Sequence, residues 1–165
     1  DAYSRVYSNR LPTSQWYSFL YLIVKGVEDM LGEKLGQIQG PVKTTVLPAN
    51  GSLPRFENSV EGAGTLAGVD VKCLATYGSE LQTNGSIYGE CPNQGVIMTL
   101  TGEIATFRAT GIGKFNSEGG IDFAGVVYFQ TSTSALERLN GAAVVYDFKV
   151  DVSGNSTWDL WEWEY

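Results

Sequence analysis

The sequence predicts an all-β fold: a closed, antiparallel, up-and-down barrel of about eight strands, with a helix at the N-terminus and one short helix before the last two strands. Three observations predict it. Residues 102–165 hold four strand-like runs of roughly ten residues each, with β-branched and aromatic side chains in alternation. The turns between them are rich in Gly, Ser and Asn. Glycine is abundant, at 20 of 165 residues, beside 12 % aromatics, a mixture that suits strands bent at glycines. Long strands joined in simple succession remove their exposed edges by closing.

The elements follow in order. Residues 1–12 are a polar and aromatic arm ending at Pro12. Over 13–36, Thr13 or Ser14 can cap a helix, Leu20, Val24, Val27, Leu31 and Leu35 recur at spacings of three and four, and Gly36 is a natural stop. The stretch FLYLIV is apolar all round and leaves a strand open as an alternative there. Gly40-Pro41 breaks the chain, and residues 40–165 form the barrel. Its first strands are Val42–Leu47, a long Glu57–Val71, Val71–Tyr77, Ser86–Gly89 and Gly95–Leu100. In the long strand Gly62, Gly64 and Gly68 share a face with Asn58, Val60, Leu66 and Asp70. A short helix falls within Thr133–Asn140. With no internal repeat or linker, residues 1–165 read as a single domain.

Composition excludes several classes of function. Net charge is −7 and the isoelectric point is near 4.5, against the clustered Lys and Arg that nucleic acid or an anionic membrane surface requires. No run approaches the roughly 18 apolar residues of a spanning helix. With no histidine and two cysteines, the chain lacks a Ser-His-Asp or Cys-His pair and a thiolate metal site. Phosphate-cradling glycine motifs are missing too. The expectation is therefore an activity without metal or organic cofactor, resting on Asp, Glu, Tyr, Arg, Lys, Ser, Thr or pocket shape.

The compartment stays open between cytoplasmic and secreted. Cys73 and Cys91 either bridge a hairpin or are two buried thiols. Asn50-Gly-Ser52, Asn84-Gly-Ser86 and Asn155-Ser-Thr157 fit the glycosylation triplet and equally fit turn chemistry. A start at Asp1 fits a removed signal peptide or a chain boundary.

GIGKF at Gly111–Phe115, IDFAGVVYFQT at Ile121–Thr131, SALERLNG at Ser134–Gly141 and the closing Trp161-Glu162-Trp163 carry a resemblance. Together they resemble bacterial members of the allene-oxide-cyclase-like barrel superfamily, which is calycin-like in form and related to dirigent proteins. The likeness is good over about residues 95–165 and only in outline over 40–95. It implies an eight-stranded barrel with a hydrophobic cavity, a homo-oligomer (dimer or trimer), and chemistry without a cofactor. Superfamily members include cofactor-free cyclases, among them [4+2] cyclases, so no single reaction follows.

Each candidate site residue has a plainer alternative. Glu162 shares a face with Leu160 and Glu164, opposite Trp161, Trp163 and Tyr165. Facing inward it would be a general acid or base with a raised pKa, whereas if the aromatics face inward it is solvated. Arg108, on a face with Ile104, Thr106, Thr110 and Ile112, either orients a carbonyl in the lumen or wets the outside, with Glu103 on the opposite face. Tyr128 and Gln130, with Asp122, Ala124 and Val126, either bind a ligand or form the wet side of a strand. Asp70 is lumenal if the glycine face is lumenal. Trp16 belongs to a helix that either lids a pocket at one barrel end or packs on the outside.

Three readings follow. The first is a cofactor-independent cyclase or isomerase that holds a hydrophobic small molecule of natural-product type, with Glu162 and Arg108 catalytic and Tyr128, Gln130, Asp70 and Trp16 binding. The second is a non-catalytic barrel that carries such a molecule. The third is a structural protein whose exposed aromatics mediate oligomer contacts.

Overall fold

The computed structural model describes residues 31–48 and 53–164. They form a closed barrel of eight antiparallel strands in sequence order. The strands are β1 (Leu31–Leu47), β2 (Arg55–Leu66), β3 (Val69–Leu81), β4 (Ile87–Thr99), β5 (Ile104–Phe115), β6 (Ile121–Thr131), β7 (Val144–Val150) and β8 (Asn155–Trp163). A 3-10 helix, Ser134–Leu139, links β6 to β7. The arm and residues 13–30, including Trp16, lie outside the described residues.

Several boundaries depart from the sequence reading, among them Ser86–Gly89 and Gly95–Leu100, which are parts of one strand, β4. Leu31–Gly36 is the start of β1, not the end of a helix, and pairs with β8 at Leu31↔Trp163 and Lys34↔Trp161. Gly40-Pro41 does not end the strand. Pro41 has no N–H to give, so the β1–β2 ladder skips from Gln39↔Ala63 to Val42↔Val60 while the strand runs on. The long strand expected over Glu57–Val71 is a hairpin. Ala67 and Gly68 both have positive φ, 52° and 79°, which is the two-residue type I′ turn whose twist suits flanking strands. The turn exchanges faces, so Asn58, Val60 and Leu66 point inward while Asp70 points out to solvent.

Four other hairpins share one design. At Gly85, Gly102, Gly119 and Gly154 the glycine N–H donates to the carbonyl three residues earlier, from Gln82, Thr99, Asn116 and Asp151. Each of these glycines has φ between 80° and 88°. A glycine beyond a type I turn is the usual closure of such loops. Asn84 belongs to this turn chemistry, its Oδ1 accepting from Ser86 N and Oγ.

Alternation decides what is inside. On β5, Ala105, Phe107, Ala109, Gly111 and Gly113 are buried, whereas Ile104, Arg108, Thr110 and Ile112 are exposed. One barrel end is plugged: Leu136 and Leu139 of the 3-10 helix are fully buried against Leu35, Leu66, Val144 and Leu160. Arg138 holds the plug's outer side, its Nη2 lying 3.1 Å from both Glu33 Oε2 and Glu162 Oε2. Above the aliphatic layer an aromatic floor crosses the barrel. Trp158 lies against Phe107, Phe129 and Tyr146 with ring centroids 5.1, 6.4 and 5.8 Å away.

Candidate functional site: the lumenal cavity

On the far side of that floor the lumen holds a partly open apolar cavity of about 60 Å³. Trp158 and Phe107 form its base, Cys73, Ala75, Cys91 and Ala109 line it at mid-height, and Tyr77, Phe123, Tyr146 and Phe148 stand around it. Tyr77 meets Phe123 and Phe148 edge-on, at 6.5 and 5.9 Å, the geometry that aromatic quadrupoles favour.

Glycines shape this half. Strand register aligns Gly89 with Gly111, Gly111 with Gly125, and Gly125 with Tyr146, one row across four strands. The row leaves a trough in the wall, and the Tyr146 ring lies in it. A Cβ on Gly111 would sit 2.5 Å from the Tyr146 hydroxyl, and one on Gly125 would sit 2.6 Å from it. Gly113 is likewise occupied by the Phe123 ring, 2.6 Å from where its Cβ would be. The space beside the small residues of β5 is thus partly filled by aromatic rings.

The ionisable groups of the cavity are held neutral. Burial pushes the Cys73 thiol up to about 12, with a smaller push from Cys91, and burial raises Cys91 as well. Burial, then the proximity of Cys91, raises the Tyr146 phenol to about 12, and burial with the nearby Tyr146 raises Tyr77. The two cysteines are free. Register sets Cys73 beside Ile97 and Cys91 beside Ala109, so of the two alternatives left open by the sequence the structure has two buried thiols. Among the described residues no three Cys, Asp or Glu side chains are grouped to hold a metal ion.

The candidate residues named from sequence lie elsewhere. Glu162 has the inward parity of Trp158 and Leu160 but stands at the plugged end, paired with Arg138 and across the floor from the cavity. Arg108 is on the outside of β5 beside Tyr128, and Tyr128 and Gln130 are on the outside of β6. Asp70 is exposed for the reason given above, and Trp16 is not among the described residues. An isolated charge inside an apolar barrel would carry a large desolvation cost, so these polar side chains take the solvent face. Of the cavity's own residues, Tyr77 and Tyr146 read in sequence as ordinary core, and Cys73 and Cys91 as a bridge or two buried thiols. The aligned glycines opposite an aromatic were the available signal.

No family model matches the chain, and no curated protein matches it. Solved structures do. A conserved protein of unknown function from Rhodopseudomonas palustris is 15% identical with a TM-score of 0.67, the match covering 80% of this chain and 97% of that one. A protein of unknown function from Clostridium acetobutylicum is 13% identical with a TM-score of 0.68 over 80% and 97%. A beta-barrel like protein from Acinetobacter baumannii is 12% identical with a TM-score of 0.65 over 81% and 95%. At these identities the likeness is one of fold alone, and the fold is the closed eight-stranded antiparallel barrel.

Proposed function

We propose that the protein is a binding barrel for a compact, uncharged, largely apolar molecule. The observation that carries this reading is the cavity above Trp158, where Glu90 is the one charged residue among those lining it. Thiols and phenols held in their neutral forms complement an uncharged ligand, and an apolar pocket with few polar groups is the ordinary form of a small-molecule site.

The resemblance of residues 95–165 to the allene-oxide-cyclase-like superfamily supports a cyclase or isomerase in the same space. Such an enzyme would act by shape, without a carboxylate poised near neutrality in the cavity. The volume favours binding of a smaller molecule, since about 60 Å³ is well below the roughly 150 Å³ of a cavity that takes up benzene. The homo-oligomer that the resemblance implies has its support in the exposed Leu74, Ile104, Ile112 and Tyr128 on the outside of β3, β5 and β6.

The test is a titration with 2-methylpropene, a four-carbon hydrocarbon smaller than benzene, followed by the NMR methyl signals of Val60, Ala75 and Ala109. Saturable shifts confined to these methyls, lost in Ala109→Leu, are expected. Absence of any saturable shift would remove the reading.

A further inference from the structure

The cavity contains two hydroxyls whose placement packing alone does not account for. Among the described residues neither the Tyr77 nor the Tyr146 hydroxyl has a hydrogen-bond partner, and neither oxygen is sealed within protein. Both rings earn their positions by apolar contact, Tyr77 against Phe123 and Phe148, Tyr146 against Trp158. A phenylalanine would make the same contacts. The hydroxyl of Tyr146 also has a structural consequence: it occupies the space of the Gly111 Cβ and abuts that of Gly125. Glycine within a strand costs roughly 0.5–1 kcal/mol relative to alanine, so the wall gives up stability to seat that oxygen.

The oxygens belong to one site. Tyr146 and Tyr77 line the same cavity, near enough that Tyr146 disfavours ionisation of Tyr77. A neutral phenol is a strong O–H donor, and two of them beside an apolar chamber match an oxygen with two lone pairs.

Resting on the binding reading above, we infer that Tyr77 and Tyr146 are a paired hydrogen-bond donor site, and that the ligand is a small carbonyl compound whose oxygen they grip. The apolar remainder lies over Trp158 and beside Cys73 and Ala109. About 60 Å³ is roughly two liquid-water volumes, so the molecule is compact, or only its carbonyl end enters. Phenols fully protonated across the neutral range keep this grip independent of pH from about 5 to 9.

The experiment compares acetone with 2-methylpropene, which replaces the carbonyl oxygen by CH₂ in a nearly identical shape. Both are titrated into the protein and into Tyr77→Phe, Tyr146→Phe and the double variant, with the Val60, Ala75 and Ala109 methyl signals and thermal unfolding as readouts. Acetone is expected to bind at least about tenfold more tightly than the hydrocarbon, with each single variant reducing the ratio and the double variant abolishing it. Hydrocarbon affinity stays within about twofold throughout. Equal affinities for the two probes in the native protein would overturn the donor site and leave the binding reading intact. The same follows if the phenylalanine variants change stability while the ratio persists. If neither probe binds, both fall.

Discussion

The two halves of this barrel are made from the same eight strands and the same inward alternation, yet one is solid and the other hollow. Below Trp158 the inward positions are Leu35, Leu66, Ile97, Val144 and Leu160, closed by Leu136 and Leu139. Above it they are glycines and alanines faced by Phe123, Tyr77, Tyr146 and Phe148. Branched aliphatics interdigitate to crystal-like density, whereas flat rings set against glycine troughs leave space between them. The difference between the halves is thus written in residue size along inner faces rather than in charged residues, of which Glu90 alone borders the cavity among the described residues.

The largest expected effect is alkaline destabilisation that belongs to the hollow half alone. Cys73 and Tyr146 keep their protons when folded to about 12, whereas the unfolded groups lose them near 9 and 10. Between those values the folded chain binds more protons than the unfolded one, so stability falls as pH rises. The slope approaches about 1.4 kcal/mol per pH unit for each such group. Urea unfolding at pH 7 to 11 should show this loss, reduced in Cys73→Ala and in Tyr146→Phe. A flat profile up to pH 11 would show that the cavity admits water freely and that its groups are not desolvated.

The difference between the halves also explains what the sequence could and could not tell. Strand alternation from Ile104 to Trp163 was plain because each inward residue there is followed by an outward one. The helical spacing through Leu35 misled because β1 is bulged. Its register shifts between Leu31, Lys34 and Gly36, and Leu35 and Ile38 are both buried at a spacing of three. The β2–β3 turn was hidden because Ala67, not a glycine or asparagine, adopts the positive φ. At the site, Arg108, Tyr128 and Gln130 drew notice as polar residues within strands. Alternation alone does not say which face is inside, and the side that carries polar groups is the wet one. The Gly89–Gly111–Gly125 row depends on register between three strands, which no single strand reveals.

An alanine-to-leucine substitution placed twice on β5 sharpens the comparison at intermediate size. Ala105 is 1% exposed within the packed half, whereas Ala109, four residues on and on the same face, borders the cavity. Overpacking a full core costs about 1–3 kcal/mol, so Ala105→Leu should lose that much. Ala109→Leu places its methyls in existing space and should cost less than about 1 kcal/mol, since added apolar burial offsets the lost room. Denaturant midpoints at constant m-value measure both. Equal losses would mean that the hollow half is packed as tightly as the solid one.

The smallest effect concerns what closes the solid end. Arg138 bridges Glu33 and Glu162, tying the plug to the first residues of β1 and the last of β8, and it looks like the latch. Its environment says otherwise. The side chains of Arg138 and Glu33 are 44% and 68% exposed, and exposed ion pairs contribute about 0–1 kcal/mol. Leu136 and Leu139 are fully buried, and truncating such a leucine costs about 2–5 kcal/mol. Arg138→Met, which keeps the aliphatic stem, should therefore cost less than about 1 kcal/mol. Much of that loss should vanish in 1 M salt, where screening acts over about 3 Å. Glu162→Gln should be milder still and leave ligand affinity unchanged, because the Trp158 floor separates Glu162 from the cavity. A loss of several kcal/mol in Arg138→Met at both low and high salt would make the ion pairs, rather than the leucines, the closure of this end. A change in ligand affinity in Glu162→Gln would show that the two halves are coupled through the floor.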